Sequence, residues 1–314
     1  MEGTRIGKLC FGCKTYRWKP LACFAMAAAI ALGLQTVPAI AQVQGPNVDQ
    51  LAKELSNPGA SNATMNFKFE YRTFDGTLPG ASDQDSFTST FQPVFPFKLA
   101  NGNNLIFRPS FAYVVDQPQP TGGGFNSVSQ FGDIPYDLLY SWNSNGFTFG
   151  AGVVGSIPTG SKISSDNWTL GPSFLMVQPT DWGIWGLFPF HSEKIGGDGP
   201  DVSVTSLQYF LFKSLGNGWM IGTGPTMTYD WNAVSGQEWT VPIQLAVSKT
   251  TAIGEQLVKL NFSAERNVVQ PDAFSEDWTL SFTFSPVVKN PFQKNPPAPK
   301  MDDVTRAAVL APFD

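Results

Sequence analysis

The chain has few groups for metal or thiol chemistry. Its 314 residues include three cysteines and a single histidine, His191. Cys10, Cys13 and Cys23 all fall in a segment that reads as a secretory signal, residues 1–41. Arg5, Lys8, Lys14, Arg17 and Lys19 form its basic region, Leu21 to Leu34 its short apolar core, and Ala39-Ile40-Ala41 a cleavage site before Gln42. The exported chain then carries no thiol. That excludes disulfides, a cysteine nucleophile and a thiolate metal site, including one on the Cys10-Phe-Gly-Cys13 pair. No HExxH, phosphate loop or metal-spaced cluster appears, so no cofactor or metal is expected. Beyond the signal no apolar run is long enough for a spanning helix. A basic excess is missing too. The whole chain has 20 Lys and Arg against 25 Asp and Glu, and loss of the signal leaves 15 against 24, a net charge of −9. Nucleic acid is thereby disfavoured as a partner.

What is abundant is phenylalanine (26), glycine (30) and proline (25), arranged with a period of two. From Trp219 to Trp231 the odd positions carry Trp219, Ile221, Thr223, Pro225, Met227, Tyr229 and Trp231, and the even ones small or polar residues. After a polar loop the pattern resumes with Trp239, Val241, Ile243, Leu245 and Val247. Alternation means strands with one greasy face. Arms of about ten residues suit a tilted strand crossing a bilayer, although a half-buried hairpin of a soluble sandwich alternates equally well.

The rest of the chain discriminates. Twelve such segments follow one another, at about 61–72, 86–98, 103–115, 131–142, 147–157, 168–178, 182–191, 202–213, the two arms just described, 257–266 and 278–288. Segments 182–191 and 202–213 are apolar on both parities and their faces stay unassigned. From the second strand onward short connections (99–102, 143–146, 179–181, 214–218) alternate with long ones (116–130, 158–167, 192–201, 267–277). Short turns on one rim and long loops on the other are the asymmetry of outer-membrane barrels. The expected fold is all-β: a transmembrane antiparallel up-and-down β-barrel of about twelve strands over 61–288, with a short N-terminal helix. That helix, within 42–60, ends at Asn57-Pro58-Gly59 and either plugs the periplasmic mouth or lies beside it. Residues 289–314 read as a Pro- and Lys-rich periplasmic tail, with a short helix through Leu310. Trp142, Trp182 and Trp219 then fall at the periplasmic rim, and Trp168, Trp231, Trp239 and Trp278 at the outer one. The partners implied are the lipid bilayer of a Gram-negative outer membrane, a small-molecule solute, and the barrel-assembly machinery during biogenesis.

Several segments resemble the outer-membrane transporter family associated with meta-pathway phenol degradation. They are Leu51-Ala-Lys-Glu-Leu-Ser-Asn-Pro58, Phe131-Gly-Asp-Ile134, Leu170-Gly-Pro172, Tyr229-Asp-Trp231, Trp239-Thr-Val-Pro-Ile243 and Val247-Ser-Lys249. The resemblance spans about Leu51 to Pro286 and is most specific from Tyr229 to Lys249. It implies a barrel and uptake of small, including hydrophobic or aromatic, compounds, and it transfers no residue set. Phe188-Pro-Phe-His-Ser192 departs from the family's Asn-His-aromatic-Trp-Ser run, and the tail after Pro286 is longer.

If the greasy parity faces lipid, the other faces the lumen. It offers Lys68, Glu70, Arg108, Asp133, Asp137, Gln244, Lys259, Asn261 and Glu265 as solute-pathway candidates. Charges on a spanning strand must point inward. They form either a polar pathway in which Arg108 or Lys68 selects anions, or an ion-pair network filling a narrow lumen. Inward Gly150, Gly152, Gly222 and Gly224 either hollow the wall or let it bend. Two other classes remain. An enzyme would need His191 as its base, but Ser192 beside it points to the opposite face, so no catalytic residue is assigned. A structural, non-conducting barrel would act through its loops, which are modest in length. Asp83 with Asp85, and Asp198 with Asp201, read as solvated loop acids rather than calcium ligands.

Overall fold

The computed structural model describes residues 46–254, 256–290 and 292. The expected signal peptide, its cleavage site and the tail helix lie outside the described residues. One helix, α1 (Pro46–Glu54), precedes fifteen strand segments. These are β1 (Thr64–Asp75), β2 (Asp85–Lys98), β3 (Asn104–Pro109), β4 (Phe111–Thr121), β5 (Gly124–Phe131), β6 (Ile134–Ser144), β7 (Phe147–Ile157) and β8 (Asn167–Pro179). The remainder are β9 (Gly183–Gly197), β10 (Ser203–Gly216), β11 (Trp219–Thr223), β12 (Thr226–Asp230), β13 (Trp239–Ile253), β14 (Gln256–Val269) and β15 (Ser275–Pro286).

Three staves are each interrupted once, so fifteen segments build a closed twelve-stranded antiparallel barrel. β3 and β4 part at Ser110, β5 and β6 at Gly132-Asp133, and β11 and β12 at Gly224-Pro225. The ring closes because β1 pairs with both β2 and β15. Closure removes the sheet edges that would otherwise expose unpaired backbone to lipid. The turns at 99–103, 145–146, 180–182 and 217–218 share one rim with the start of β1 and the end of β15.

Two expected loops are largely strand. The 116–130 stretch is a hairpin in which Gln117 pairs with Val128 and Pro120 with Phe125, and β9 runs on to Gly197. Both extend the wall beyond the other rim, where polar alternation meets water on both faces and so reads as loop in the sequence.

The outer surface carries the greasy parity. Ile243, Leu245, Phe67, Phe69, Phe174, Leu211 and Phe262 are exposed, with Leu245 at 59%. Trp182 and Trp219 are exposed near the turn rim, and Trp168, Trp231, Trp239 and Trp278 near the loop rim. A continuous apolar band between two tryptophan girdles belongs in a bilayer, since a soluble protein does not leave such area to water. The architecture thus places the chain in the outer membrane.

The structure also assigns the two staves whose faces the pattern left open. Ile184, Gly186 and Phe188 of β9 and Ser206 and Phe210 of β10 are buried inward, while Leu211 faces out. Their inner face is as apolar as their outer one because it packs a core. Ile106, Leu139, Val154, Leu175, Val177, Ile184, Phe188, Phe210 and Met220 form one buried cluster inside the barrel.

Candidate functional site

The interior has two unlike sides. β3 and β6 to β11 supply the apolar cluster. β1, β2 and β13 to β15 supply hydroxyls, amides and charges. Antiparallel register sets these into rows, one of which runs Thr90, Lys68, Thr283, Asn261, Ser248 around the wall.

Helix α1 is seated inside the turn rim. Ala52 packs into the apolar cluster, and Val48 against Ala252. The Gly218 amide donates to the Asp49 carboxylate, and Lys53 Nζ donates to the Thr180 carbonyl at 2.7 Å. Past the helix, Asn57 Nδ2 donates to Thr148 Oγ1 at 2.9 Å and Ser141 Oγ to the Gly59 carbonyl at 3.0 Å. Lys259 Nζ donates to Ser56 Oγ at 2.7 Å and to the Leu55 carbonyl at 3.3 Å. A nine-residue helix is marginal alone. Here its apolar edge meets the core and its polar groups tie it to several staves.

Above this segment lies a cavity of about 510 Å³. Its floor is 54–58 with Ala60 and Asn62, its polar residues include Asn66, Lys68, Glu70, Gln92, Gln244, Lys259 and Asn261, and its apolar ones include Phe210 and Phe212 on β10 with Val94 across the lumen on β2. Six of the nine residues singled out in the sequence thus line it: Lys68, Glu70, Arg108, Gln244, Lys259 and Asn261. Asp137 sits opposite Arg108 across the β3–β6 ladder and pairs with it at 2.8 Å, while the guanidinium lies 5.5 Å over the Phe188 ring. Glu70 is bridged by Lys68 at 2.7 Å and Arg72 at 2.9 Å. Glu265 accepts from Gln244 Nε2 at 2.9 Å.

Asp133 is placed elsewhere. It falls in the break between β5 and β6, so strand parity does not apply to it. Its carboxylate accepts from the Thr159 and Ser165 amides and the Ser164 and Ser165 hydroxyls, pinning the 158–166 loop. Partial burial raises its pKa, but the donated hydrogen bonds outweigh this and hold the carboxyl below its usual range. His191 contacts Thr205 Oγ1 at 3.0 Å and Glu193 Oε2 at 3.1 Å. Among the described residues no group of three or more His, Cys, Asp or Glu is arranged to hold a metal.

The inward glycines divide. A β-carbon at Gly152 would meet the Leu138 carbonyl at 2.0 Å, and one at Gly222 the Leu211 carbonyl at 2.0 Å. These two allow neighbouring backbones to approach. The space beside Gly150 is filled by Leu139, whereas Gly224 lines the cavity and meets nothing nearer than 3.4 Å. Pro225 beside it cannot donate to the ladder. Two side chains close the gap instead: the Gly224 amide donates to Gln244 Oε1 at 3.0 Å, and Gln208 Nε2 to the Gly224 carbonyl at 3.3 Å.

Sequence reasoning missed the floor residues Ser56 and Asn57 and the wall residues Gln208, Phe210 and Phe212. The Asn57-Pro58-Gly59 stop was a usable signal, because chain that leaves a plug must turn before it enters the first stave. Nothing local marks Phe210 as inward.

No protein-family model matches the chain, and no curated protein matches it in sequence. Among solved structures it is similar to the COG4313 outer membrane channel from Pseudomonas putida F1, with TM-score 0.56 and 16% identity over 72% of this chain and 96% of that one. The NanC porin aligns more loosely, with TM-score 0.44 and 10% identity over 72% of this chain and 99% of that one. The fold is therefore that of a twelve-stranded outer-membrane β-barrel.

Proposed function

We propose that the chain is an outer-membrane channel for small molecules, narrowed by its own N-terminal segment, and that its solutes include the hydrophobic or aromatic compounds implied by the sequence resemblance. The observation that carries this reading is the cavity of about 510 Å³ held between a polar wall, an apolar wall and the 54–62 floor inside a closed barrel. A pathway that offers both surfaces accommodates solutes that are neither ions nor pure hydrocarbon. Lys68, Glu70, Arg108, Gln244, Lys259 and Asn261 are its proposed polar contacts, with Asp137 and Glu265 orienting Arg108 and Gln244.

The test is single-channel conductance in planar bilayers of refolded 42–314 and of a variant lacking 42–60. Small discrete steps in the first and larger ones in the second are expected. Heat-modifiable, folded protein that is silent in both forms would overturn the channel reading and leave a structural barrel.

A further inference from the structure

We infer that the cavity binds a small amphipathic monocarboxylate, its carboxylate on the Lys259 ammonium and its hydrocarbon against Val94, Phe210 and Phe212. This rests on the channel reading only in treating the cavity as reachable by solutes.

The argument begins with charge pairing. Three cations line the cavity. Lys68 is bonded to Glu70 and Arg108 to Asp137. Lys259 has no carboxylate in salt-bridge range among the described residues, only the Leu55 carbonyl and the Ser56 hydroxyl. Glu54, an acid on the floor, is engaged with Gln50 instead. An ammonium presents three donors, so one of those on Lys259 remains for a cavity occupant. A buried charge without a counter-ion is costly, and an anion that supplies one is correspondingly favoured.

The apolar half of the ligand follows from the opposite side. Asn261 lies two residues along the inner face from Lys259 and adds amide donors beside the same spot. Around the ring, Phe212 pairs with Gly222, Gly222 with Ala246 and Ala246 with Ser263. That is three strand spacings, about 14 Å of wall at ~4.8 Å each, and Lys259 lies four residues along β14 from Ser263, about 13 Å further at ~3.3 Å per residue. Along that row only Gly222 and Ala246 separate Phe212 from Ser263, and Met220 and Ser56 lie at the floor below it. The two offsets make about 19 Å of wall, and less the reach of the lysine and phenylalanine side chains at its ends this leaves a gap that matches a six-carbon acid better than acetate or a long-chain lipid.

The experiment is isothermal titration of the refolded 42–314 barrel in detergent micelles. Hexanoate, hexanamide and acetate are the probes, chosen because all three partition weakly into micelles. Saturable one-to-one binding of hexanoate is expected, with hexanamide and acetate each weaker by about tenfold or more, the usual worth of a lost charge-assisted bond or a lost apolar contact. Lys259→Arg should keep hexanoate within about threefold and Lys259→Gln should weaken it about tenfold or more. Equal affinity for hexanoate and hexanamide, or undiminished hexanoate binding by a folded Lys259→Gln barrel, overturns the inference, as does the absence of saturable binding. If Lys259→Gln fails to fold, the acid–amide comparison on the unaltered barrel decides alone. Conductance is read separately: a barrel that binds hexanoate yet is silent refutes the channel and keeps the site.

Discussion

Replacing Leu245 by arginine tests where the bilayer lies. Trp239 and Lys249 mark the two ends of the lipid-facing part of β13, and the Lys249 ammonium lies 5.1 Å over the Trp219 ring. Ten residue steps at ~3.3 Å, tilted by ~45°, span about 23 Å, close to the ~25 Å apolar band of an outer-membrane barrel. Leu245 falls within about 2 Å of the middle of that span and is 59% exposed. An arginine there should cost about 2–4 kcal/mol, whereas Ile253→Arg, at the end of the same strand, should cost about 0–1. The assay is reversible guanidinium unfolding of the barrel refolded into vesicles, followed by tryptophan fluorescence. Equal costs at the two positions, or Leu245→Arg within about 0.5 kcal/mol of the unaltered barrel, would refute the bilayer placement.

Other outcomes follow from single contacts. Lys53→Met and Asp49→Ala each remove a charged tie between α1 and the rim, worth about 1.5–3 kcal/mol locally, and should raise open-channel noise in planar bilayers without altering the unfolding midpoint by a comparable amount. Because the Asp133 carboxyl is held below its unfolded pKa, its contribution is present above that value and is lost as pH falls through the folded one. Protection of the 158–166 amides from hydrogen exchange, relative to the intrinsic rate at each pH, should therefore be high at neutral pH and be lost only in strong acid, while Asp133→Asn should lack it throughout. Gly152→Leu should abolish heat-modifiable folding because its β-carbon meets the Leu138 carbonyl, whereas Gly224→Ala, whose β-carbon makes only ordinary contacts with Phe210 and Phe212, should fold.

Much of the barrel was legible because lipid and water are such different solvents. β7 occupies 147–157, the residues that alternation alone marked out, and the twelve-stave count follows from turn chemistry plus period. Legibility failed wherever the interior stopped being wet. Phe188 and Phe210 face inward against Leu175 and Val177, so apolar residues on both parities of β9 and β10 gave no contrast. It also failed where a stave breaks: Asp133 was assigned a face by counting, and the chain leaves the ladder at that residue. The candidate pathway was readable as a set of inward polar residues, but its geometry was not. The contact between Lys259 and Leu55 joins positions 204 residues apart, and no local pattern encodes it.

The two-sided lumen has an electrical consequence. Water and ions keep their hydration beside β1, β2 and β13 to β15, and lose it against Phe210 and Phe212, where the apolar cluster reaches the cavity. In the proposed channel the conducting cross-section is a crescent along one wall, smaller than the open area of the barrel. Current carried by salt should underestimate the size of molecule that passes, because an amphipathic solute uses the dry side that ions avoid.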